Sequence, residues 1–102
     1  GKVSLVATKA ADLVEGSPIN ATLPPGTYDR AALLALAGAG TKILELALTV
    51  RAGTADVSFN GTVDNYPAGA TFSYGPHTGY AMPDISIVVD TASVATLFAM
   101  VV

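Results

Sequence analysis

Residues 42–61, KILELALTVRAGTADVSFNG, decide the fold. Leu44, Leu46, Leu48 and Val50 alternate with Glu45, Ala47, Thr49 and Arg51. A period of two sends the large aliphatics to one face of a strand and the polar groups to the other. Ala55, Val57 and Phe59 then alternate in the same way with Asp56, Ser58 and Asn60. The Arg51-Ala52-Gly53-Thr54 connection supplies a glycine for the left-handed residue that a short hairpin needs. The stretch is expected to be an antiparallel hairpin with one apolar face that other elements must cover.

Outward from it, the C-terminal side offers two further strands. Residues 84–90, DISIVVD, place Ile85, Ile87 and Val89 on one face, and residues 94–102, VATLFAMVV, close the chain. In the latter Ala95, Leu97, Ala99 and Val101 alternate with Val94, Phe98, Met100 and Val102, so both faces are apolar. Such a strand is expected to be covered twice, within the fold or by a neighbouring subunit. On the N-terminal side, residues 2–8 and 19–23 alternate as short strands, and Pro24-Pro25-Gly26 stops the second. Residues 28–38 form the one helical candidate: Thr27 or Asp29 caps its start, Leu33, Leu34, Leu36 and Ala37 fit helical spacing, and Gly38 suits its end, while a run so apolar also fits a buried strand. Residues 61–83, punctuated by Gly61, Pro67, Gly69, Gly75, Pro76, Gly79 and Pro83, read as exposed loop around one strand at residues 70–75. Seven or eight short strands with one short helix predict an all-β fold, a β-sandwich or jelly roll, in a single domain over residues 1–102.

Composition narrows the function. Of 102 residues, 51% are hydrophobic and 13% charged, against roughly 25% charged in ordinary soluble domains. A domain of this size buries only about 60–65% of its unfolded surface, so surplus apolar side chains are expected at subunit contacts. No run approaches the roughly 20 apolar residues of a membrane span, and neither a membrane partner nor a targeting segment is expected. Lysine and arginine end at Arg51, with only Asp56, Asp64, Asp84 and Asp90 charged beyond it, so no basic stripe exists to neutralise nucleic-acid phosphates.

Catalytic chemistry finds few parts. With no cysteine, thiol catalysis, thiolate metal sites and disulfides are excluded. His77 is the single histidine, and neither a zinc site nor a general base with an oriented partner can be assembled from it in one chain. Asp64, Asp84, Asp90 and Asn65 lack the dense spacing of a calcium loop. The expectation is no enzyme, no cofactor and no metal. The remaining cluster is aromatic: Tyr66, Phe72, Tyr74 and Tyr80, joined by His77 and Met82, suits either an interface or sugar stacking. Together with Phe98 and Met100 these are the candidate interface residues.

Val57-Ser58-Phe59-Asn60-Gly61, followed by Tyr66-Pro67-Ala68-Gly69, Thr71-Phe72 and the closing apolar strand, resembles small β-rich virion proteins of tailed bacteriophages. These include capsid decoration (cement) proteins, head fibres and tail-associated sandwiches. The resemblance covers the second half of the chain. It implies a homo-oligomer such as a trimer, attached to a capsid or another virion protein, with no catalytic residues to carry over. The expected function is thus structural, bridging shell subunits on the virion; a carbohydrate-binding module or a tail or fibre component is the alternative.

Overall fold

Short alternating segments broken by glycine and proline form eight strands among the described residues, which are 17–38, 40–76 and 82–102 of this computed structural model. They are β1 (Ser17–Leu23), β2 (Gly26–Asp29), β3 (Ile43–Ala52), β4 (Thr54–Phe59), β5 (Thr62–Pro67), β6 (Thr71–Tyr74), β7 (Ile85–Val89) and β8 (Val94–Val101). One helix, α1 (Arg30–Ala37), lies between β2 and β3. The strand expected over residues 2–8 falls outside the described residues.

The strands make two four-stranded antiparallel sheets, ordered β1-β8-β3-β6 (sheet 1) and β2-β7-β4-β5 (sheet 2). The pairs β1 with β8, β2 with β7, β3 with β6 and β4 with β5 are those of one long ribbon doubled back at the β4–β5 turn. Its successive segments fall in alternate sheets, which is the jelly-roll arrangement of a β-sandwich. Between the sheets lie Leu46, Leu48, Val50, Ala55, Val57, Ile87, Leu97 and Ala99, each no more than 1% exposed.

The decisive stretch is built differently from the expected hairpin. β3 pairs with β8 and β6, whereas β4 pairs with β7 and β5, so the two strands belong to opposite sheets. Side by side, their apolar faces would both need cover from elsewhere; facing each other across the core, they cover one another. The corner is made by a register shift between Val50 and Ala52 and by Gly53 at φ 71°. A Cβ at residue 53 would stand 2.1 Å from Ser93 Oγ, so the close approach excludes any side chain there. Ser93 Oγ accepts from Thr54 N–H at 3.0 Å, and the Thr54 hydroxyl donates to Asp90, locking the corner onto the β7–β8 turn. A second shift, between Ile43 and Glu45, turns Ile43 into the core and leaves Leu44, expected inward, only half-buried.

Two other expectations change. The loop over residues 61–83 contains β5, because Asn60 (φ 52°) and Gly61 (φ 84°) are two successive left-handed residues of the kind that close a tight hairpin. The helix starts at Arg30 rather than Tyr28, since residues 26–29 are drawn into β2 against β7. Asp29 caps it by accepting from Ala32 N–H at 2.8 Å, and Gly38 ends it at φ 75°. With Leu33 buried, α1 packs on β1 and β2 and closes that edge of the sandwich.

Candidate interaction surface

β8 runs between β1 and β3, the interior position of sheet 1 at which both its edges are hydrogen-bonded. Alternation then gives it one face to the core and one away. Ala95, Leu97, Ala99 and Val101 point in and are no more than 1% exposed. Phe98 points out and is 42% exposed, with Met100 half-buried on the same face. Among the described residues, cover is present on one face of this strand only.

Residues directly opposed on neighbouring strands share a face, so register maps the rest of the outward surface. Pro18, Met100 and Glu45 form one row; Asn20, Phe98, Ala47 and Ser73 form the next. Thr22, Thr96, Thr49 and Thr71 form a third, one threonine from each of the four strands. Thr49 Oγ1 and Thr71 Oγ1 are 3.1 Å apart, and Arg51 Nε donates to Thr96 Oγ1 at 3.0 Å. The surface is thus a strip that sets Phe98 and Met100 among threonine, asparagine and serine side chains, with Glu45 at one end of β3 and Arg51 at the other. Local alternation marks each of these residues as outward; the rows themselves depend on pairing between strands distant in sequence.

The aromatic candidates divide. At the edge of the sandwich opposite α1, Phe72 and Tyr74 from β6 meet Phe59, and Tyr66 from β5 meets Phe72. Phe59 lies 5.7 Å from Phe72 and 5.4 Å from Tyr74 between ring centroids, and Tyr66 meets Phe72 edge-on at 6.0 Å and 80°. All four are half-buried and packed on the core, with ring surface turned to one another. They seal an edge, a role that reading residues 61–83 as loop concealed. Met82, counted among the interface candidates, is a core residue at 2% exposure, its N–H held by Ile43 O at 2.7 Å, and has no surface to offer. His77 and Tyr80 lie outside the described residues.

A cleft of about 440 Å³ opens at the start of α1, lined by Asp29, Arg30, Ser58, Asp84, Ile85 and Ser86. Two of its polar groups serve the fold: Asp29 caps α1, and Arg30 Nη2 donates to Thr41 O at 2.9 Å. Elsewhere Asn65 Nδ2 donates to Asp56 Oδ1 at 2.7 Å across β4 and β5, while Asp90 holds Thr54. Among the described residues no three His, Cys, Asp or Glu side chains gather as metal ligands, and no helix is long and apolar enough to cross a membrane.

No protein-family model matches the chain, and no curated protein does. A solved structure to which it is similar is a de novo designed double-stranded β-helix determined by solution NMR, at 15% identity and a TM-score of 0.49, covering 81% of this chain and 96% of that one.

Proposed function

We propose that the protein is a non-enzymatic structural module that works by assembly, using the outward face of sheet 1 to bind copies of itself or a larger protein surface. The observation that carries this reading is Phe98: a phenylalanine left 42% exposed in the interior of a sheet, beside Met100, on a face whose other positions are largely threonine, serine, asparagine and glutamate. Burying such a strip gains roughly 25 cal/mol per Å² of apolar area, a gain repeated at every copy of an assembly. The setting we assign is a tailed-phage particle, with the protein as a capsid decoration or head-attached component that bridges shell subunits. The support for that setting is the sequence resemblance in residues 57–61 and 66–72, together with a jelly-roll fold of the kind that capsid domains use.

Sedimentation equilibrium and native mass spectrometry test the reading. The wild-type chain is expected to associate, with itself or with purified shells, in the micromolar range, and Phe98→Arg to remove that association while the fold persists. A chain that stays monomeric at hundreds of micromolar and binds no shell refutes it.

A further inference from the structure

Glu45, Ala47, Thr49 and Arg51 follow one another along the outward side of β3, so the two charges stand roughly 20 Å apart at about 3.3 Å per residue. Between them on β8, Met100 is opposite Glu45, Phe98 opposite Ala47 and Thr96 opposite Thr49. The strip is therefore negative at one end and positive at the other, with Phe98 and Met100 set among threonine, serine and asparagine side chains between them. Lys42, whose backbone pairs with Val102, lies past Glu45 at the rim.

Consider a second copy laid face to face on this strip. A two-fold axis lying between the faces and running across the strands reverses strand direction. Glu45 then comes over the partner's Arg51 and Arg51 over the partner's Glu45, giving two symmetry-related ion pairs. The same rotation, passing between the phenylalanine row and the threonine row, exchanges those rows, so the bulky Phe98 meets short threonine methyls. An axis running along the strands keeps both glutamates at one end and both arginines at the other, and pairs neither. Charge and shape both select the first arrangement.

We propose that the outward face of sheet 1 is a self-complementary interface that binds the same face of a second copy of this chain, with strands antiparallel across the contact. The proposal rests on the assembly reading and adds to it the partner and the orientation. The 7, 8, 10 and 4 residues of β1, β8, β3 and β6, at about 3.3 Å along and about 4.8 Å across the strands, give roughly 450 Å² per copy, about 900 Å² in all, which is the size of a weak, reversible contact. A micromolar dimer is the expected unit.

Sedimentation equilibrium on the full chain, with circular dichroism melts to verify folding, tests the orientation. Phe98→Arg is expected to abolish the dimer. Glu45→Arg alone and Arg51→Glu alone are each expected to weaken it about tenfold, since each turns two attractions into repulsions. The double variant Glu45→Arg with Arg51→Glu is expected to recover wild-type association, because the swapped charges still meet across an antiparallel contact. Folded single variants that dimerise as well as wild type, or a double variant no better than the singles, overturn the proposal. So does a dimer that survives Phe98→Arg, although self-assembly through another surface would leave the assembly reading standing. A wild-type chain that binds shells yet never itself likewise removes this proposal alone, whereas one that binds neither removes both.

Discussion

The two faces of β8 share a backbone, a position inside sheet 1 and an apolar composition, yet meet opposite fates. Inward, Ala95, Leu97, Ala99 and Val101 join the core cluster and lose all but 1% of their exposure. Outward, Val94, Thr96, Phe98 and Met100 face no second layer of this chain among the described residues, and Phe98 keeps 42%. A sheet face is covered only when the chain returns over it, and the jelly roll returns over one face of each sheet. Hydrophobicity at the other face is then free to serve association.

The comparison breaks first at its inner side. Leu97→Ala removes a side chain that is 1% exposed at the centre of the core, and a loss of about 3 kcal/mol is expected from the missing transfer energy and the cavity left behind. Urea denaturation monitored by circular dichroism measures it; a loss below about 1 kcal/mol would mean that the two faces are not energetically distinct. Next comes the corner that sets β3 and β4 face to face. Gly53→Ala places a methyl 2.1 Å from Ser93 Oγ at φ 71°, and a loss of about 2 kcal/mol is expected in the same assay.

That corner also marks where the sequence stopped speaking. Alternation set the inward residues of β4 and β7, and those of β3 except Leu44, because which side of a strand faces the core is a local property; for β8, apolar on both sides, it left the inward face open. Whether β3 and β4 lie side by side or opposite one another is not local: the glycine in Arg51-Ala52-Gly53-Thr54 serves a hairpin and a corner equally, and only the contact with Ser93, forty residues on, selects the corner. β5 was hidden for a different reason. Thr62, Val63, Asp64 and Asn65 are all exposed, so an edge strand held by backbone bonds to β4 has no alternating burial to display, although Asn60-Gly61 already carried the hairpin signal. For the surface, Phe98 and Met100 were legible from a strand apolar on both sides. The threonine row was not, since it depends on the register of four strands, and the edge role of Tyr66, Phe72 and Tyr74 required knowing that β5 and β6 lie on the same side of the sandwich.

The helix offers a smaller test, because α1 closes the core at one edge and leaves the outward face of sheet 1 alone. Asp29→Ala removes the side chain that accepts from Ala32 N–H, and about 1 kcal/mol of stability is expected to go with it. Association measured on the folded variant should match wild type. A loss of association with the fold intact would mean that the edge and the outward face are coupled.

The smallest change in stability is expected at the outer side of the comparison itself. Phe98→Ser shortens a side chain that the folded chain leaves 42% exposed, so unfolding measured at concentrations too low for association should move by no more than about 0.5 kcal/mol. At concentrations where the wild type associates, the two proteins should part, since only the wild type gains stability by mass action from binding its own kind. The gap between their melting temperatures should therefore widen with protein concentration. A gap that is the same at every concentration would mean that Phe98 stabilises the single chain, and the outward face would then be a second core surface instead of a contact between molecules.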